Sequence, residues 1–224
     1  MCFITGERII NLVSFLKSIF LHPYAGVLSA YGMGLADIRT IREAVVETKL
    51  SSATVGSGGY RKALSLLANA DEYDFNLLLL PGVVDQFGGA NHNAIISDAI
   101  NMCENRGDSF LIVDNVTKGT TIASAKSNTE ARNTSYAAAY YPWVKVLDDS
   151  INLPVWVPPS VVIPGVISQN DRVAHEWFAP AGLNRGGIDS AIQATRKLTN
   201  SMRDDLYESN ANPIATFPGQ GVSV

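Results

Sequence analysis

The sequence predicts an α/β domain built on a doubly wound, mostly parallel sheet that helices flank. Two short apolar runs, "FNLLLLPGV" at 75–83 and "DSFLIVDN" at 108–115, have the composition of strands buried on both faces. Segments with helical spacing separate such runs, so strand and helix alternate from about residue 60 to 170. This alternation favours parallel strands joined by crossover helices.

The composition limits the function classes. The chain has 224 residues, of which 46% are hydrophobic, which is enough for one substantial core. A net charge of −4 with only 17% charged residues lacks the basic stripe of a nucleic-acid-binding protein, so we expect no nucleic-acid partner. Cys2 and Cys103 are too few for a disulfide framework or a four-cysteine zinc site, which indicates a reducing compartment.

The first 50 residues differ in character from the rest. The apolar run "IINLVSFLKSIFL" is interrupted by Lys17 and is too short to span a bilayer, so we expect no membrane insertion. A helix is predicted at 37–47, because Ile38, Ile41 and Val45 recur at helical spacing. The Ser/Gly-rich stretch 51–59 indicates a loop and a boundary near residue 50.

The remaining elements follow in chain order. Helices are expected at 60–74, 91–107 and 120–133, a third strand within 135–148, a short strand at 154–160, and one or two helical pieces at 186–210. Another helix begins near Ser160 and carries Pro164 in its first turn or so.

Three polar residues follow the chain order of one class of serine protease, namely Asp85, His92 and Ser160. No glycine-flanked serine motif supports catalysis, and the order alone is weak. The alternative interpretation makes Ser160 a helix N-cap, His92 a capping or surface residue, and Asp114 a strand-end acid that bonds backbone amides.

Metal and cofactor motifs are not recognisable. The three histidines, His22, His92 and His175, lack a second ligand at convincing spacing. No Walker loop occurs, and no dinucleotide-binding glycine motif follows a strand, so we expect neither metal nor cofactor. The tripeptide "RGD" at 106–108 is interpreted as an ordinary turn between helix and strand.

The stretch 140–188 is rich in large aromatic residues. It contains Trp143, Trp156 and Trp177, with Arg172 and Arg185 nearby. These residue types anchor protein interfaces, so we predict a subunit-contact surface; the alternative is that two of the tryptophans merely cover the sheet.

Several separated motifs in this half of the chain resemble the contractile tail sheath proteins of bacteriophages. They are "YAAAYYPWVKV", "VWVPPSVVIPGVISQNDRVAHEWFAPAGLNRG" and "NPIATFPGQGVSV", and the resemblance covers about residues 49–224. It implies a subtilisin-like α/β domain without catalysis. It also implies subunits that form hexameric rings around a tail tube, in a stack that shortens to drive the tube into the host.

The resemblance further implies the partners and the location. The chain would contact other sheath subunits, the tail tube protein and the baseplate. It would be located in the virion tail and, during assembly, in the host cytoplasm. A sheath of a type VI secretion system or of a pyocin is a further possibility, because such a sheath would also contract as a stack of subunits. A structural or subunit-contact role is carried over to Asp171, Arg172, Trp177, Pro180, Gly182 and Arg185.

Two departures from the family shape the domain prediction. The family continues into a C-terminal domain that we expect this chain to lack. "HPYAGVLSAYGMGLADIRTIREAVVE", at 22–47, instead resembles a segment of the hydantoinase and 5-oxoprolinase family. We therefore predict a foreign segment at 1–48, either a fusion or an artefact of the gene sequence, and a sheath domain at 49–224. The alternative to a structural sheath function is that the chain is a fragment of a hydrolase, either subtilisin-like or of the amidohydrolase type.

Overall fold

The computed structural model describes residues 57–84, 90–148 and 152–224. The N-terminal apolar run, the helix predicted at 37–47, the segment 22–47 and Asp85 all lie outside the described residues.

Helices and strands alternate through the first part of the described chain, as predicted. The helices are α1 (Ser57–Leu67), α2 (Ala90–Arg106), α3 (Ile122–Glu130), α4 (Pro159–Val173) and α5 (Asn200–Glu208). The strands are β1 (Leu77–Val84), β2 (Phe110–Asp114), β3 (Ala137–Tyr141), β4 (Val144–Asp148), β5 (Leu153–Val157), β6 (Ala191–Ala194), β7 (Ala211–Pro213), β8 (Ala215–Phe217) and β9 (Gly221–Ser223).

The central sheet has four strands in the order β1-β2-β3-β7, and every pair is parallel. The predicted parallel sheet is therefore confirmed. Its strand order advances in one direction across the sheet, and the doubly wound topology and the likeness to subtilisin stay predictions. Both faces of the sheet are covered, which explains the continuous apolar runs of β1 and β2.

Consecutive strand residues divide the core between the two faces of this sheet. Leu78 packs with α1 and α2, whereas its neighbour Leu79 packs with α4. In β3, Tyr141 packs with α3 and α5, whereas Tyr140 packs on the α4 side. Four helices thus cover one face, and α4 with two small sheets covers the other.

The smaller sheets were not predicted. The stretch 135–148 forms two strands rather than one, because Pro142 has no N–H to continue the ladder. The second of these, β4, lies between β5 and β6 in an antiparallel sheet. Strands β8 and β9 form an antiparallel pair.

The stretch 186–210 contains one helix, in agreement with the one or two helical pieces predicted there, and its first half contains a strand. Pairing with β4 makes 191–194 a strand, so tertiary context overrides the local pattern. Helix α5 begins only at Asn200, where the Thr199 hydroxyl accepts a hydrogen bond from the Met202 N–H at 3.4 Å.

Two further boundaries differ from the sequence prediction. Helix α1 begins at Ser57, inside the predicted loop, and ends at Leu67 because the chain then turns, with the Asn69 side chain accepting from the Asp71 N–H. Within this helix Leu64 is buried and Leu66 is exposed. Strand β1 continues through Pro81 and Gly82 with an irregular register.

We predict that Ile163→Ala lowers the free energy of unfolding by about 2–5 kcal/mol, because Ile163 is 1% exposed between α4 and the sheet and its truncation leaves a cavity. Val161→Ala on the same helix is the control, since Val161 is 48% exposed. Urea titrations would measure both, and equal losses from the two changes would contradict the packing described.

Candidate subunit-contact site

A buried aspartate fixes the start of α4. Pro158 and Pro159 have no N–H, so Ser160 supplies the first donor of the helix. The Ser160 N–H donates to Asp114 Oδ1 at 3.1 Å, and the Ser160 hydroxyl donates to Asp114 Oδ2 at 2.5 Å. Asp114, at the end of β2, therefore satisfies the helix N-terminus from across the fold, where a carboxylate is electrostatically favoured.

The Asp114–Ser160 contact corrects one prediction and confirms another. The N-cap position of α4 is Pro158, so Ser160 is a helical residue and not the cap. The prediction that Asp114 is a strand-end acid bonding a backbone amide is confirmed.

Burial dominates the electrostatics of this contact. It raises the pKa of Asp114 to about 7, and the two hydrogen bonds from Ser160, which favour the carboxylate, act in the opposite direction. The carboxyl group is therefore partly protonated at neutral pH.

The predicted serine-protease order does not produce an exposed nucleophile. Ser160 is 0% exposed, and its hydroxyl is bonded to Asp114. His92 is buried, which overturns its interpretation as a surface residue, and its Nδ1 accepts from the Val84 N–H at 3.2 Å. These contacts join β1, β2 and the starts of α2 and α4, which is a structural role.

The far end of α4 carries the predicted contact motif. Fifteen helical residues at 1.5 Å each place this end about 22 Å from Asp114. The segment 174–188, which we name the aromatic loop, follows. Asn170, a buried residue of α4, holds the start of this loop through two hydrogen bonds. Its Nδ2 donates to the Phe178 carbonyl at 2.8 Å, and its backbone carbonyl accepts from the Ala174 N–H.

Three rings stack within the aromatic loop. The rings of His175 and Trp177 are nearly parallel with centroids 5.3 Å apart, and those of Trp177 and Phe178 are 4.3 Å apart. The Arg185 guanidinium lies 4.6 Å from the centroid of the Phe178 ring. Trp177 is nevertheless 75% exposed.

Hydrogen bonds to the last residues of the chain close the aromatic loop. The Gly182 N–H donates to the Val224 carbonyl at 2.8 Å, and the Val224 N–H donates to the Gly186 carbonyl at 2.9 Å. The Ser223 hydroxyl donates to the Gly182 carbonyl at 3.0 Å. The exposed ring of Trp177 is thus mounted on a braced loop.

Both glycines are needed for this closure. Gly182 has φ +79°, a conformation that residues with a Cβ rarely adopt. A Cβ on Gly186 would lie 2.8 Å from the Ala181 Cα, and its neighbours there are backbone atoms that cannot move aside.

The other predicted contact residues divide into two groups. Trp143 and Trp156 are half-buried: the Trp143 indole donates to the Val116 carbonyl at 2.7 Å, and Lys118 and Lys145 lie against the Trp156 ring. Both tryptophans thus contact their own chain, and their role in subunit contact stays a prediction.

The second group lies close to the aromatic loop. Arg172 is exposed and donates to Gln169, and Pro180 is half-buried. Asp171 is half-buried; desolvation and the nearby Glu176 charge raise its pKa.

Sequence reasoning missed three residues that position the loop, Asn170, Phe178 and Gly186, and one pairing that positions the helix, that of Asp114 with Ser160. Only Gly186 had a sequence signal, because it ends the quoted motif and is followed by a second glycine, Gly187. The others depend on pairings between segments distant in the chain, which a local pattern does not contain.

The remaining sequence features find structural explanations within the described ranges. Arg106 of the "RGD" tripeptide donates to the Leu67 and Tyr73 carbonyls and pairs with Asp108 at 2.8 Å, consistent with the turn interpretation. Among residues 57–84, 90–148 and 152–224, no group of three potential ligands is arranged for a metal ion. None of the helices described there has the length and apolarity to cross a bilayer.

A family model described as the phage tail sheath protein central domain matches residues 55–224. The chain belongs to this family. Tail sheath proteins are structural subunits of the phage tail, and this member is accordingly a structural protein and not an enzyme. The buried Ser160 fits that conclusion.

Individual relatives of the sheath domain cover parts of the chain. A tail sheath protein of Vibrio phage KVP40 is 39% identical over 66 residues, which are 30% of this chain and 10% of that protein. A chain in the cryo-EM structure of the anti-feeding prophage baseplate aligns with TM-score 0.53 and 23% identity, over 72% of this chain and 40% of the other. A chain of the same prophage's helical sheath in the contracted state gives TM-score 0.48, 23% identity, and 72% and 41% coverage.

We predict that Asp114→Asn removes a pH dependence of stability. Because burial raises the pKa of Asp114 from 3.8 to about 7, its contribution is fully present below about pH 4 and is lost as pH rises through 7, at about 1.4 kcal/mol per pKa unit. The Asn variant keeps an acceptor for the Ser160 N–H and should therefore exceed the wild type in stability at pH 9.

Urea unfolding between pH 4 and 9 measures this difference, and Ser160→Ala is the control because it retains the carboxyl group and its titration. A difference between wild type and Asp114→Asn that stays constant with pH would contradict the assignment.

We predict that Gly186→Ala destabilises the domain by about 1–3 kcal/mol through overpacking against the Ala181 backbone. Gly165→Ala, within α4, meets nothing within 4 Å and should instead stabilise by about 0.5–1 kcal/mol. Denaturant midpoints of the two variants check the signs, and amide exchange at Val224 should accelerate only in Gly186→Ala.

Proposed function

We propose that this sheath domain polymerises as hexameric rings stacked around a tail tube, and that the stack contracts to drive the tube into the host. The observation that carries the proposal is the exposure of Trp177 on a braced loop. Tryptophan is enriched among the interface residues that dominate binding energy once a partner buries them.

The aromatic loop has the properties of a preformed contact. Its backbone is bonded to β9 and to Asn170, so little conformational entropy is lost when a partner docks. Arg172 is exposed in the last turn of α4, just before the loop, and offers a charged rim. We assign Asp171, Pro180, Gly182 and Arg185 to shaping this surface, and Arg172 and Trp177 to touching the neighbouring subunit.

The partners and setting follow from the family. The similar chain from the anti-feeding prophage belongs to a baseplate whose structure was 6-fold symmetrised, which supports a ring of six. We propose other sheath subunits, a tail tube protein and a baseplate as partners, with assembly in the host cytoplasm. The described chain spans about 40% of the length of that structural relative, so the activity of a whole sheath subunit belongs to this proposal.

The domain division is likewise proposed. Residues 49–224 form the sheath domain, and residues 1–48 form a segment of different origin. The subtilisin-like character of the fold is proposed together with it.

We predict that Trp177→Ala or Arg172→Ala abolishes polymerisation without unfolding the domain, because both side chains are exposed and little of the chain's own core depends on them. Negative-stain electron microscopy of the purified proteins would count rings and tubes. Tyr207→Ala is the matched control, since Tyr207 on α5 is 76% exposed and lies outside the aromatic loop. Normal sheaths from Trp177→Ala would remove the basis of the proposal.

A further inference from the structure

A groove between α1 and α2 has the shape to receive a large side chain. Its volume is about 610 Å³, within the range of about 300–1,000 Å³ typical of binding pockets. The floor is apolar and includes the buried residues Leu64 and Met102. Ser65, Asp98 and Asn101 lie on its walls and are polar.

The groove and the aromatic loop lie on opposite faces of the central sheet. Helices α1 and α2 pack on the face of Leu78, whereas α4 packs on the face of Leu79. The aromatic loop is held on the α4 face, because Ile188 belongs to that core and donates its N–H to the Val222 carbonyl at 2.8 Å. Trp177 therefore cannot enter the groove of its own chain.

A projecting ring on one face and a recess on the other are the elements of a head-to-tail contact. Contacts of this kind between identical subunits close into rings or continue as helical filaments, depending on the rotation per subunit. A two-fold symmetric pairing would instead require the same patch on both copies.

From this arrangement we infer that Trp177 of one subunit inserts into the α1–α2 groove of a neighbouring copy of the same chain. This inference rests on the proposed function, because it names the surface by which the sheath subunits meet.

The chemistry of the two surfaces is complementary. A buried indole requires an acceptor for its N–H, and the Asp98 carboxylate and the Asn101 amide oxygen stand at the groove. Asp98 bonds Arg61 at 2.8 Å and remains half-exposed, and Arg106 also lines the groove, so the complementarity lies in the hydrogen bond and the apolar floor rather than in net charge. The apolar floor supplies the area that the indole buries.

Two variants separate the halves of the contact. Trp177→Ala removes the projecting ring and keeps the groove. Ser65→Trp fills the groove from the exposed side of α1 and keeps the ring. Lys62→Trp is the control for adding a bulky aromatic to α1, because Lys62 is exposed and is not part of the groove lining.

The experiment compares self-association of the full chain by sedimentation velocity, with thermal melts establishing that each variant is folded. We expect the wild type and Lys62→Trp to form large assemblies, and each of the other two variants alone to lose them. An equimolar mixture of Trp177→Ala and Ser65→Trp should shift from monomer to dimer, since one intact ring meets one intact groove.

Other results would overturn the inference. If Ser65→Trp alone assembles as the wild type does, the ring and groove do not meet, while the proposed sheath function stands. If Trp177→Ala alone assembles as the wild type does, the inference falls together with the basis of the proposed function. If both variants fail alone but the mixture stays monomeric, their defects are not complementary and the pairing is wrong. If the folded wild type does not self-associate, the proposed function fails together with the inference.

Discussion

The fold depends on how α4 is attached to the central sheet. At its start, two prolines remove the first backbone donors, and the buried Asp114 carboxyl accepts the next one from Ser160. Along its length, Ile163 and Val166 pack on the sheet. The helix therefore has a fixed direction, and that direction determines where the aromatic loop stands. Burying the Asp114 carboxyl group costs free energy when the group is charged. The same group fixes where α4 begins, because it accepts the hydrogen bonds of Ser160.

The second constraint is the closure of the aromatic loop by the end of the chain. The backbone of the loop bonds Val222 of β9 at Ile188, and it bonds Val224, which follows β9, at Gly182 and Gly186. These bonds pair backbone N–H and carbonyl groups of the loop. The loop that carries the stacked rings is therefore held more firmly than most connecting segments are. An exposed tryptophan on a braced backbone suits binding between copies better than it suits catalysis.

The sequence was sufficient for the parts of the fold that repeat a local pattern. The apolar runs of β1 and β2 and the helical spacing of α2 and α3 correctly predicted a parallel sheet with crossover helices. Strand β6 was missed because it depends on pairing with β4, which is remote in sequence. The division between β3 and β4 was missed although Pro142 marks it in the sequence. Of the predicted contact residues, Trp177 and Arg172 are exposed, whereas Trp143 and Trp156 pack within their own chain. Exposure is set by the whole fold, so residue type alone could not separate them.

The central claim is that Trp177 becomes buried when subunits meet. Its most direct test is acrylamide quenching of tryptophan fluorescence in a Trp143→Phe, Trp156→Phe variant, in which Trp177 is the remaining indole. The quenching constant is expected to be high for the monomer and to fall several-fold in assembled particles. Equal quenching of monomer and assembly would mean that this ring faces solvent in the sheath, which would contradict the account.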